Sequence, residues 1–135
     1  MKQFEILLSS DYSEYSELKK FIMMHVEGLG YSNQFIDGLQ LSIKEAFVNA
    51  IKHGNHEQHD LAISCKVTLT KDLLQASIRD CGKGFNPYDQ PNPAEPGNLL
   101  KLSGRGLYII SSFVEKMCVT VDDDGSTLML HYIPY

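Results

Sequence analysis

Apolar and polar residues alternate from the start of the chain. Phe4, Ile6 and Leu8 are set against Gln3 and Glu5, the two-residue period of a strand. Leu7 beside Leu8 predicts burial on both of its faces. The period then lengthens. Leu18, Phe21, Ile22, Val26 and Leu29 recur at helical spacing, with Asp11 or Ser13 placed to cap the start and Gly28 and Gly30 to end it. Ser32 or Asn33 caps a second helix, whose stripe is Phe35, Leu39, Ile43, Ala46, Phe47, Ala50 and Ile51, and which Gly54 stops. Ile63, Cys65, Val67 and Leu69 alternate with Ser64, Lys66 and Thr68 as a half-buried strand. A Lys71-Asp72 turn leads to Leu74, Ala76 and Ile78, its hairpin partner. A third helix is predicted from about residue 104 through 117, with Leu107, Ile110, Val114 and Met117 on one face. Val119 and Val121, then Leu128, Leu130 and Tyr132, make a closing hairpin around Asp123, Asp124, Gly125 and Ser126.

The order is strand, helix, helix, two strands, loop, helix, two strands. It predicts an α/β two-layer sandwich: a mixed, mostly antiparallel sheet covered on one face by about three helices. The 135 residues make one domain by size, 1–135, long enough to bury a core without staples. Between the second hairpin strand and the third helix, Pro87, Pro91, Pro93, Pro96 and Gly97 mark 86–103 as the longest stretch without periodicity. Loops of that length in a domain are usually functional or mobile.

Composition narrows the function. The formal net charge is −5 and the 12 Lys and Arg residues are scattered, which argues against a nucleic-acid partner. No apolar stretch approaches a membrane span and no signal peptide opens the chain, so a cytoplasmic protein without a membrane partner is expected. The three cysteines have no metal-like spacing. Cys65 and Cys118 lie in apolar stretches and read as reduced, mostly buried thiols, whereas Cys81 falls inside a candidate motif. His53, His56, His59 and Cys65 could be grouped as a zinc set, but they lack the tightly spaced ligand pairs of structural zinc sites.

Three segments carry candidate chemistry. On the second helix, Glu45 and Asn49 stand at i and i+4, with His53 one turn on, in a stripe away from the apolar seam. A carboxylate and an amide so placed could orient a hydroxyl and complete a Mg²⁺ shell; a solvated helix face has the same spacing. Asp80 is in phase with Leu74, Ala76 and Ile78 and so points inward, where a carboxylate needs a donor such as the adenine amino group. Gly82 and Gly84 would let the backbone turn sharply beside a flat ring, although a plain turn would carry glycines too. Ser103-Gly104-Arg105-Gly106-Leu107 opens a helix, where free N–H groups and an arginine can meet phosphate, although a plain glycine-rich helix entry with a solvated arginine has the same sequence. Neither glycine segment is a Walker loop or a dinucleotide fingerprint.

Taken in order, the three segments resemble the GHKL (Bergerat-fold) ATPase superfamily of gyrase-type, Hsp90-type, histidine-kinase and MutL-type domains. Glu45 to Asn55 looks like its N-box, Asp80 to Gly84 like its G1 box, and Gly104 to Leu107 like its G2 box. The branch most similar is that of the bacterial anti-sigma factor serine/threonine-protein kinases, on Asn49-Ala50-x-x-His53-Gly54 and the glycine segment running to Ile109 and Ile110. The resemblance implies ATP and Mg²⁺ as cofactors, with Asn49 ligating the metal and Glu45 acting as base toward the attacking hydroxyl. It implies Asp80 on the adenine amino group and Gly82 and Gly84 shaping its pocket. Gly104, Arg105, Gly106 and Leu107 would form the phosphate segment, and 86–103 the ATP lid. His53 would support the helix end. Val48 stands where relatives often carry Thr, so a contact of that hydroxyl is missing. The partners implied are a sigma factor and an anti-anti-sigma (STAS-domain) protein, with the chain a homodimer. Two other functions stay open: a nucleotide-gated protein-binding module without phosphotransfer, and a detached histidine-kinase catalytic domain.

Overall fold

The computed structural model describes residues 1–84 and 105–135. Strand β1 (Lys2–Ser9) leads through a 3-10 turn (Tyr12–Glu14) into helix α1 (Tyr15–Val26), then helix α2 (Asn33–Asn49) and a π-helical turn (Ala50–Gly54). Strands β2 (Ala62–Leu69) and β3 (Leu74–Asp80) follow, then helix α3 (Arg105–Ser111) and strands β4 (Lys116–Asp122) and β5 (Gly125–Tyr132). Among the described residues the strands form one sheet in the order β1-β2-β3-β5-β4. Every pairing is antiparallel, so the mostly antiparallel sheet expected from the sequence is antiparallel throughout.

The alternation sorts the two faces. Ile63, Cys65 and Val67 of β2, Leu74, Ala76 and Ile78 of β3, and Leu128, Leu130 and Tyr132 of β5 are buried against the helices. Their neighbours Ser64, Lys66, Gln75 and Ser77 are not. Leu18, Ile22 and Val26 of α1 and Leu39, Ile43 and Phe47 of α2 complete the core. Each such side chain contributes about 1.5–3 kcal/mol by leaving water. Ser32 caps α2, its hydroxyl accepting the Phe35 N–H at 3.1 Å, while Asp11 caps the 3-10 turn through the Ser13 N–H at 2.9 Å.

Three expectations need correction. Leu7 is 70% exposed, because its register opposite Ser64 puts it on the polar face of the sheet. Leu29 is 48% exposed, since α1 has already ended at Val26. The third helix stops at Ser111 and does not run to Met117. Met117 instead enters the core from β4, opposite Leu130, so the helical spacing of Val114 and Met117 was a coincidence across an element boundary.

Candidate functional site

Asp80 ends β3 on the helix-facing side, opposite Ser126 of β5. Its Oδ1 accepts the Gly82 N–H at 2.7 Å and the Ser126 hydroxyl at 2.9 Å. Among the described residues no bond falls on Oδ2, which leaves a fixed acceptor of the kind an amino group needs.

Glycines crowd this carboxylate. A Cβ on Gly54 would overlap the Asp80 carboxylate, and one on Gly82 would lie 2.8 Å from the Gly54 carbonyl oxygen. Gly84 has φ +77°, the left-handed region, and its α-carbon faces Val121. The result is a cleft of about 530 Å³, lined by His53, Gly54, Asn55, His56, Gln58, Leu61, Asp80 to Gly84 and Ser126. That volume falls within the usual range for small-ligand sites, about 300–1,000 Å³.

The second part of the site lies between α2 and α3. Glu45 and Asn49 are both half-buried. A Cβ on Gly106 would stand 2.9 Å from Glu45 Oε2 and 3.3 Å from Asn49 Nδ2. The start of α3 therefore rests directly on the carboxylate and amide, and only a glycine fits there without displacing them. Asn49 Nδ2 is buried with no hydrogen-bond partner among the described residues. A half-turn of the amide exchanges nitrogen for oxygen, so the orphaned position can present an oxygen. With the Glu45 carboxylate beside it, this is a hard-oxygen donor set that suits Mg²⁺.

The structure thus brings Glu45, Asn49 and Gly106 together, and Asp80, Gly82 and Gly84 together. Leu107 is buried in the core at the start of α3. Gly104 and the proposed lid at 86–103 lie outside the described residues, as does the side chain of Arg105. His53 lines the cleft and is exposed. Among the described residues no cluster of His, Cys, Asp or Glu could hold a metal on its own: His56 and His59 are exposed while Cys65 is buried in β2.

Sequence reasoning gave Asn55 no role. It is fully buried, and its Oδ1 accepts the Cys81 N–H at 2.7 Å. It closes the Glu45 to Asn55 segment, but an asparagine directly after the helix-stopping Gly54 reads by itself as turn chemistry.

Comparison with known proteins decides the family. The histidine kinase-like ATPase domain model matches residues 8–132, nearly the whole chain and every described part of the site. The chain belongs to the histidine kinase-like ATPase family. Membership in this ATPase family implies use of ATP. Serine-protein kinase RsbW of Listeria monocytogenes EGD-e is 26% identical over 113 residues, covering 77% of this chain and 70% of that protein. Serine-protein kinase RsbW of Bacillus licheniformis is 23% identical over 111 residues, covering 78% and 69%. The crystal structure of the RsbU and RsbW domains of a Mycobacterium tuberculosis protein superposes with a TM-score of 0.70 at 16% identity. That match covers 99% of this chain but 33% of the other, and shows a shared fold. Among the described residues no helix is long and apolar enough to cross a membrane.

Proposed function

We propose that this histidine kinase-like ATPase domain is an anti-sigma factor serine/threonine-protein kinase that uses ATP with Mg²⁺. In one state it holds a sigma factor; in another it phosphorylates a serine on an anti-anti-sigma STAS-domain protein, acting as a cytoplasmic homodimer. The observation that carries the reading is the closeness of Gly106 to both Glu45 and Asn49, too near for a Cβ to fit without displacing them. It puts a candidate base, a candidate metal ligand and the glycine segment within one small volume. The naming of the relatives as serine-protein kinases supports the same class of acceptor.

In this reading the adenine amino group donates to Asp80 Oδ2, in the cleft kept open by Gly54, Gly82 and Gly84. Gly104, Arg105 and Gly106 would bind the phosphates, Arg105 supplying charge, and Asn49 would offer its amide oxygen to the metal. Mg²⁺ held there would neutralise charge on the phosphate oxygens. Glu45 accepts the proton of the serine hydroxyl as that oxygen attacks the γ-phosphorus in line. The bond to the bridging oxygen breaks and ADP leaves. Most of the acceleration comes from positioning and electrostatics.

Purified protein, ATP with Mg²⁺ and a STAS-domain partner should yield acid-stable phosphoserine. Glu45→Ala should slow transfer by about 10²-fold or more while ATP affinity holds. Transfer by Glu45→Ala at the wild-type rate removes the base assignment. Partner binding that needs ATP but gives no transfer makes the protein a nucleotide-gated binding module instead. Acid-labile phosphate on a histidine makes it a histidine-kinase catalytic domain.

A further inference from the structure

Asn55 joins three pieces of chain through one amide. Nδ2 donates to Ser10 Oγ at 2.7 Å and to the Ala62 carbonyl at 3.2 Å, while Oδ1 accepts the Cys81 N–H at 2.7 Å. Ser10 is itself fully buried and donates to the Leu61 carbonyl at 2.6 Å. The end of β1, the start of β2 and the residue after Asp80 are thus tied to a single side chain.

The backbone around Asn55 is held in an uncommon shape. The π-helical turn precedes it, closed by the Asn55 N–H on the Ala50 carbonyl at 2.8 Å. His56 and Glu57 follow with φ of 51° and 59°, two consecutive non-glycine residues in the left-handed region. Such conformations persist where their surroundings over-determine them. The shape has a consequence for the cleft, because it lays the Asn55 amide under the peptide that links Asp80 to Cys81.

Two successive N–H groups then have fixed acceptors. Cys81 N–H is held by Asn55, and Gly82 N–H by Asp80 Oδ1. With the turn fixed at Cys81, Gly82 and Ser126 can both hold the same carboxylate oxygen, which leaves Oδ2, packed beside Gly54, without a partner among the described residues. We propose that Asn55 is the positioning residue for adenine recognition, setting the Asp80 carboxylate so that one oxygen is reserved for the purine 6-amino group. This rests on the reading of Asp80 as the adenine acceptor.

The test compares Mg²⁺-ATP with purine riboside triphosphate, which lacks the 6-amino group, by calorimetric titration. Wild type should prefer ATP by about tenfold or more, the usual worth of a hydrogen bond to a charged acceptor. In Asn55→Ala, ATP should weaken by about tenfold and the analogue by less than about twofold, so that the preference collapses. Ser10→Ala keeps the bonds of Asn55 to Cys81 and to the Ala62 carbonyl but removes the shorter of the two Nδ2 bonds, and should shrink the preference by about two- to threefold. A residue that served only the fold would lower the melting temperature and weaken both nucleotides equally, with the preference intact; that result overturns the proposal. If Asn55→Ala does not fold, an unchanged preference in Ser10→Ala overturns it as well. A wild type that binds both nucleotides equally removes the Asp80 reading, and the proposal with it.

Discussion

Gly54 and Asp80 meet with no room for a methyl group between them: a Cβ on Gly54 would overlap the Asp80 carboxylate. One residue closes the π-helical turn after α2, and the other ends β3. Their contact makes the helix end and the strand end into one site. Gly54→Ala should push the carboxylate off its bonds to Gly82 and Ser126. We expect ATP affinity to fall by tenfold or more, with a stability loss of about 1–3 kcal/mol from overpacking. Titration of ATP and a thermal melt on the same preparation check both.

Gly106 should behave differently. A Cβ there meets the far ends of flexible side chains, Glu45 Oε2 at 2.9 Å and the Asn49 amide. Those groups can swing aside, and alanine favours a helix over glycine by about 1 kcal/mol. Gly106→Ala should therefore leave the melting temperature unchanged or higher while phosphotransfer drops by about tenfold or more. A variant that is destabilised yet fully active would contradict the placement of Glu45 and Asn49.

The thiols supply an independent probe of the cleft. Burial pushes Cys65 up to about 12, the charge of Glu5 adding to it, so this thiol stays protonated and inert. Cys81 is exposed and lines the cleft. An alkylating reagent on the native protein should modify Cys81 first and Cys65 only on unfolding. Saturating ATP should slow the Cys81 reaction, read by mass spectrometry. Equal rates with and without ATP would place the nucleotide elsewhere.

Tyr132 and Ser42 share a buried hydroxyl contact at 2.6 Å between β5 and α2. Burial raises the Tyr132 phenol well above its ordinary value; the Ser42 bond offsets part of this and the charge of Cys65 adds to it. A raised folded-state pKa contributes stability that is present below the unfolded value, about 10 for tyrosine, and lost as pH rises beyond it. Cys65 acts in the same direction, from its lower unfolded value of about 8.5. Stability should thus fall from about pH 9 upward. Tyr132→Phe should cost about 1 kcal/mol at pH 7, by leaving Ser42 one partner short, and should flatten the alkaline limb. Denaturant midpoints from pH 7 to pH 11 test both signs.

Much of this was legible in the residues, for identifiable reasons. Asp80 could be placed inward because strand alternation is strict, and three buried neighbours, Leu74, Ala76 and Ile78, set its phase. Glu45 and Asn49 could be paired because helical spacing fixes which residues share a side. What stayed hidden depends on contacts between distant segments. Nothing local tells that Gly54 makes room for Asp80, or that Asn55 reaches Cys81. The π-helical turn changes the helical period just where His53 had been extrapolated into the stripe. Met117 fitted a helix and a strand equally well, and only its pairing with Leu130 settles the matter.

In the proposed function, Asp80 and its glycine frame bind the adenine of ATP. Asp80→Asn is nearly isosteric and can still accept from Gly82 and Ser126 through its oxygen, but it puts an amide N–H₂ in place of Oδ2, the acceptor that the proposed adenine contact uses. The most direct measurement is calorimetric titration of Mg²⁺-ATP into wild type and Asp80→Asn, with melting curves showing both folded. Saturable binding to wild type, weakened by tenfold or more in Asp80→Asn, is the predicted result. No binding to wild type, or equal affinity in the two proteins, would contradict it.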